Sequence, residues 1–351
     1  MKKREWGAAA FLFVVLAGVL AFALTVGLPP KPKPPAPAAA QPGQAAQPAT
    51  PEAFFSYLGQ HPPKYSPLQR LCPIDGTRFE VPTQSADNRA GGVATDMMKI
   101  ALAPNPEGQG PPDLSQQDFL LLWGTCPKCG ATFGEIDLVN LISEPFLSRL
   151  KKWNIAKAAP PLARVPQEKW TTDERVLVRY LTQRQAGVEP VELGFTALSG
   201  AYAANLAVYL GRDYRVPSPA FYALAAAEFR GALAQGNLSK EATGVTAMTL
   251  GETERLLGRF DEAKGAFAQA RAAGALDEGT LAILGQLEGL SAAKDFNLAR
   301  AERKDAKPPP IGWYLDSLLP AINGHITQYR SAWTAPASPE ELIARIFALL
   351  P

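Results

Sequence analysis

Along the chain the hydrophobic and polar positions change period several times, and each change predicts an element. From Trp6 to Leu28 no charged residue interrupts the apolar positions. The run has no polar face, so it does not fit a helix lying on a soluble core. As a helix, Gly7 to Leu28 rises about 33 Å, against about 30 Å for the hydrocarbon of a bilayer. Strand-like runs come later, at Thr77-Arg78-Phe79-Glu80-Val81, at Phe119 to Trp123 and at Ala131-Thr132-Phe133. From Leu138 the period is helical. Ser143 to Trp153 is amphipathic and ends at Pro160-Pro161. Thr171-Thr-Asp-Glu174 reads as a capping box that opens a helix to about Ala186, with Gly187 as its stop. Pro190 opens an alanine-rich helix through Leu210, and residues 311–332 are apolar enough to pack back on the helices before them. Ser338-Pro339-Glu340-Glu341 caps a last helix with Leu342, Ile343, Ile346 and Leu349 on one side. The chain is predicted to be mainly α, with an N-terminal transmembrane helix, a small β module and a C-terminal helical domain.

Within the helical part, Leu250-Gly251, Gly258, Phe260, Ala263, Phe267 and Ala270 follow the tetratricopeptide spacing over two helices and their turn. Ala225, Phe229 and Ala232 repeat the same 4-then-3 spacing upstream, and a third unit runs from Asp277 through Leu290. Ala247 and Ala275 stand where that repeat expects an aromatic residue and a closing proline, so plain antiparallel hairpins are the competing reading. In a tetratricopeptide pair the first helix lines a groove, which here offers Val245, Met248, Glu252, Arg255 and Leu256 to a peptide or partner helix. Glu252 and Arg255 also fit a simple surface ion pair at i, i+3.

All three cysteines lie in two short knuckles, Leu-Cys72-Pro-Ile-Asp75-Gly76-Thr and Thr-Cys126-Pro-Lys-Cys129-Gly130-Ala. Two turns that each present residues i and i+3 supply the four ligands of a tetrahedral Zn2+. Proline after the first ligand fixes one dihedral of the turn, and glycine after the second permits a positive φ. Asp75 occupies the place of a fourth cysteine. The knuckles therefore read as a structural zinc site of Cys72, Cys126, Cys129 and Asp75 or another fourth group, as a ribbon without metal, or as a Cys126-Cys129 disulfide or dithiol. The chain has two histidines, His61 and His325, as other nitrogen donors.

The order Cys-Pro-x-Asp-Gly-Thr-x-Phe, a long polar insertion, Cys-Pro-x-Cys-Gly and then repeat-like helices resembles a bacterial family of unknown function, over roughly residues 66–300. That family joins a split zinc-ribbon-like module to tetratricopeptide-like repeats. The resemblance implies this architecture and no activity.

Charge and composition narrow the reading further. From Ser66 to Asp137 there are five basic side chains against nine acidic ones, the wrong balance for neutralising phosphates, so nucleic acid is not an expected partner. Residues 29–51, as in Pro29-Pro30-Lys31-Pro32-Lys33-Pro34-Pro35, cannot bury a core and form an extended spacer. Thr50 and Pro51 then open a short helix. The insertion from Pro82 to Ser115 is polar and glycine-rich, with one ordered piece after Gly91-Gly92. No phosphate loop, HExxH, GxSxG or CxxCH motif occurs, and the chain is expected not to be an enzyme.

The organisation expected is thus an anchor or signal at 1–28, a linker at 29–51, a split zinc-ribbon-like module at 52–140, a tetratricopeptide-like domain at 141–307 and capping helices at 308–351. The function expected is that of a membrane-anchored adapter for a protein partner, with Zn2+ as a structural ion. A CxxC thiol oxidoreductase and a structural subunit of an envelope complex are the alternatives. Lys2, Lys3 and Arg4 outweigh Lys31 and Lys33 across the apolar run, which places the bulk of the chain on the periplasmic side of a bacterial inner membrane. Ala21-Phe22-Ala23 is the competing signal-peptide cleavage motif. Fractionation is expected to leave the chain in membranes, and a C-terminal reporter is expected to be active outside the cytoplasm. A cytoplasmic reporter would overturn the orientation, and a mature chain starting near Leu24 would overturn the anchor.

Overall fold

The computed structural model describes residues 66–83, 89–93, 99–102, 123–134, 137–138, 143–209, 211–299 and 312–351. These belong to one unit, Gln47–Pro351. The apolar run 7–28, the linker 29–51 and the helix after Thr50 lie outside the described residues. Among the described residues no helix is long and apolar enough to cross a membrane.

The first part is three antiparallel hairpins: β1 (Ser66–Leu71) with β2 (Arg78–Thr83), β3 (Arg89–Val93) with β4 (Lys99–Leu102), and β5 (Trp123–Thr125) with β6 (Thr132–Gly134). The β3–β4 pair is the ordered piece of the insertion, with an irregular register between Ala90 and Gly92. The rest is helical, and the fold is mainly α. Short helices α1 (Phe146–Leu150) and α2 (Ile155–Ala158) lead into α3 (Thr172–Ala186), α4 (Pro190–Tyr209), α5 (Ser218–Gln235), α6 (Lys240–Leu256), α7 (Phe260–Ala273) and α8 (Glu278–Ala292). α9 (Gly312–Tyr329) and α10 (Pro339–Phe347) follow.

The ends of these helices follow from local chemistry. Thr171 and Glu174 form the capping box of α3, and Gly187 ends it at φ 78°. Ser338 and Glu341 do the same for α10, and Asp277 caps α8 through the Thr280 amide. Each helix from α3 to α8 packs on the next, then α9 returns onto α4 and α5 and α10 onto α5.

Glycine notches set the closest approaches. A Cβ on Gly251 of α6 would meet the Phe267 ring of α7 at 2.3 Å, so the ring takes the space that a side chain would need. Gly194 against Phe229 (2.4 Å) and Gly200 against Phe221 (2.3 Å) repeat the device between α4 and α5. Phe229 and Phe267, which share a spacing in the sequence, therefore fill equivalent notches. Ala247, Met248, Ala263, Phe267, Ala270, Ile283, Leu284 and Leu287 close one core between α6, α7 and α8. A second, continuous core runs from Cys72, Phe79, Cys126 and Phe133 of the hairpins through α3, α4 and α5 to Ile346 of α10.

Buried ion pairs fasten segments that lie outside the α-helices. The Arg255 side chain is fully buried; its Nε and Nη2 donate to the two Glu252 carboxylate oxygens at 2.7 Å. The same guanidinium donates to the Asp295 carbonyl and, at 3.0 Å, to the Asn297 carbonyl. Arg259 donates to Glu254 at 2.8 Å and to the carbonyls of Trp333 and Thr334 at 2.7 and 2.6 Å. Burying such charges is costly, and each is offset by near-complete use of its donors. Breaking one pair leaves an uncompensated buried charge. Arg255→Ala is expected to lower unfolding free energy by about 3–5 kcal/mol, read from urea titration. Arg271→Ala, at the exposed Arg271–Glu288 pair, is expected to cost less than about 1 kcal/mol. Equal effects would contradict this ranking.

Candidate metal centre

The two knuckles have the same backbone. In the first, the Gly76 amide donates to the Cys72 carbonyl at 2.9 Å and the Cys72 amide to the Thr77 carbonyl at 2.8 Å. In the second, Gly130 donates to Cys126 at 2.9 Å and Cys126 to Ala131 at 2.8 Å. Gly76 and Gly130 both take φ +72°, where a β-carbon is strained. With Asp75 where the second knuckle has Cys129, the turn is the same. Its Oδ1 accepts from the Thr77 amide at 2.9 Å, which orients the carboxylate within the turn.

Close docking of the hairpins brings the two turns face to face. Gly124 of β5 lies so near β2 that a Cβ there would sit 2.1 Å from the Glu80 carbonyl oxygen. The Phe79 and Phe133 rings meet behind the turns at 6.0 Å between centroids. As a result one atom from each of Cys72, Asp75, Cys126 and Cys129 falls within 4.8 Å of the others, and the four could hold a metal ion. The Cys72 and Cys129 sulfurs are 3.6 Å apart, and the Cys126 sulfur is 3.7 Å from both Asp75 oxygens. Tetrahedral bonds of about 2.3 Å to sulfur and about 2.0 Å to oxygen give ligand separations of about 3.8 and 3.5 Å. The Cys72–Cys129 and Cys126–Asp75 distances are close to these separations, and all four donors lie within 4.8 Å of one another, so the four could hold an ion after a modest contraction.

Cys72 and Cys126 are buried and Cys129 is half-buried. The hydrogen bond between Cys72 and Cys129 has opposite effects on the two thiols, bringing Cys72 down to about 7 and pushing Cys129 up. Burial pushes Cys126 up. Burial also opposes ionisation of Asp75, but the Thr77 amide and hydroxyl, with Lys128 nearby, hold it below the usual carboxylate range. A cation would face two thiols that resist ionising in its absence, Cys126 and Cys129, beside Cys72, which ionises more readily, and one carboxylate held below its usual range.

Helix α3 carries the second knuckle's hairpin. Arg175 Nη1 donates to the Thr125 hydroxyl at 3.1 Å, and the Thr182 hydroxyl accepts from the Thr132 amide at 3.4 Å. Asp137 takes the Gly134 amide at 2.7 Å, the Arg179 guanidinium at 2.6 and 3.1 Å and the Gln183 amide at 2.7 Å. Burial alone would raise the Asp137 carboxyl, yet Arg179 and these donors hold it below its ordinary range. On the turn itself, the Trp153 indole donates to the Cys129 carbonyl at 2.9 Å. None of these supports stands out in the sequence as a site residue, although Arg175, Arg179 and Thr182 form a polar stripe at 4-then-3 spacing on α3.

The groove residues are placed differently from their expected exposure. Val245 is half-buried, and Met248, Glu252, Arg255 and Leu256 are 0–1% exposed. Met248 lies in the core between α6, α7 and α8, Leu256 in the continuous core that reaches α10, and Arg255, paired with Glu252, donates to carbonyls after α8, so these four form interior packing and not an open groove. Likewise Glu252–Arg255 is a buried pair and not a solvated one. His325 lies away from the knuckles, accepting from the Ser218 amide at 3.2 Å, with burial pushing it down to about 4. His61 lies outside the described residues.

No protein-family model, curated protein or solved structure matches the chain.

Proposed function

We propose that the chain is a membrane-anchored, extracytoplasmic scaffold protein in which one structural Zn2+ closes a split ribbon onto a tetratricopeptide-like helical platform. The observation that carries this reading is the convergence of Cys72, Asp75, Cys126 and Cys129 within 4.8 Å. Thiolates select zinc over magnesium or calcium, whose ligands are oxygens. Four protein donors complete a tetrahedron, whereas a catalytic zinc keeps one position for water or substrate. The ion would neutralise part of the donors' charge and hold together two turns that are far apart in the sequence. The hydrogen bonds to α3 and Trp153 would transmit that constraint to the helices. The notched pairs α4/α5 and α6/α7 support the repeat-like platform. The resemblance to the ribbon-and-repeat family is consistent with both parts.

A Cys126-Cys129 oxidoreductase has less support. The turn after Cys126 leads through Gly130 into β6, while a redox pair gains its reactive thiolate at a helix N-terminus. Cys126 is also fully buried.

Purified full-length protein is expected to carry about one zinc per chain and to unfold at a lower temperature after chelation. Asp75→Ala is expected to lose the ion more readily than wild type, while Asp75→Cys should retain it. Three freely reactive thiols without metal would overturn the proposal.

A further inference from the structure

We propose that Cys72 and Cys129 form a reversible disulfide between the knuckles, so that the metal centre responds to low-molecular-weight disulfides. Release of the ion rests on the zinc reading above, whereas the linkage itself does not.

The placement of the three sulfurs leads to this pair. Cys129 is half-buried, whereas Cys72 is 2% and Cys126 0% exposed, so an oxidant in solvent reaches Cys129 first. The Cys72 sulfur, on the other knuckle, is in hydrogen-bond contact with it at 3.6 Å. A disulfide requires about 2.05 Å, so the two must close by roughly 1.5 Å. Cys126 is turned to the Asp75 carboxylate, 3.7 Å from each oxygen, and is shielded from solvent.

The chemistry balances with a small disulfide RSSR as oxidant. Cys129, a thiolate while it ligates the ion and otherwise a thiol that first gives its proton to water, attacks one sulfur of RSSR, the S–S bond breaks, and the first RS⁻ leaves and is protonated by solvent. The Cys72 thiolate then attacks the Cys129 sulfur of the mixed disulfide and expels the second RS⁻, which is protonated in turn. Two protein thiolates are oxidised to one disulfide, and RSSR is reduced to two RSH. Cys126 and Asp75 are the donors left, too few to hold a tetrahedral ion, and Zn2+ departs. A dithiol reverses the exchange. Because the new bond joins the same two turns that the ion joined, the ribbon stays closed in either state.

The test is titration of the zinc-bound full-length protein with oxidised glutathione. Zinc release is followed with a chromogenic chelator, and the linkage is mapped by mass spectrometry of non-reduced peptides. One zinc released for every two thiols lost, a Cys72–Cys129 peptide and re-uptake of zinc after dithiothreitol are expected. Cys126→Ser is expected to give the same linkage, since its missing sulfur takes no part in the exchange. A Cys126–Cys129 peptide, or glutathione remaining on Cys129 without an internal disulfide, would overturn the proposal. Absence of zinc from the starting protein contradicts the metal reading alone, because the peptide map is read without the ion.

Discussion

Two turns of the same backbone form, held mouth to mouth, are the constraint on which the ribbon depends. Each presents its donors through the same pair of backbone hydrogen bonds and the same left-handed glycine. What brings them together is apolar and steric: the Phe79–Phe133 contact and the bare Cα of Gly124 against the Glu80 carbonyl. The four donors are therefore confined by packing in which Cys72 and Cys126 themselves take part. Such confinement lowers the ordering cost of binding an ion. It also concentrates three sulfurs and a carboxylate in a small volume, which is unfavourable without a cation and explains why burial and mutual contact raise two of the thiols.

The helical part solves a related problem by different means. The segment just after α8 and the one between α9 and α10 lie outside the α-helices, and their carbonyls need donors once buried. Arg255 and Arg259 of α6 supply them, and Glu252 and Glu254 compensate the charge. On α3, Arg175 holds the β5–β6 hairpin through the Thr125 hydroxyl, and Arg179 and Gln183 hold it through Asp137, which accepts from the Gly134 amide. In this way two helices with polar stripes tie irregular elements to a core otherwise built from alanine, leucine and phenylalanine.

Much of this was legible in the sequence where a local rule applies. The capping boxes at Thr171 and Ser338, the stop at Gly187, the Asp277 start and the donor set of the knuckles each depend on residues a few positions apart. The fate of Glu252 and Arg255 was not legible. Their i, i+3 spacing is the same on a solvated face and in a core, and the deciding partners are backbone carbonyls at 295 and 297, which leave no trace in side-chain pattern. Trp153 and Asp137 escaped for a like reason, since each serves the ribbon from an intervening segment whose path only the fold defines.

The nature of the ion's first shell is the point on which the reading turns, and zinc X-ray absorption of the purified full-length protein reports it directly. Three sulfurs at about 2.3 Å and one oxygen at about 2.0–2.2 Å are predicted. A shell made mostly of nitrogen or oxygen, or a preparation with no zinc edge, would contradict it.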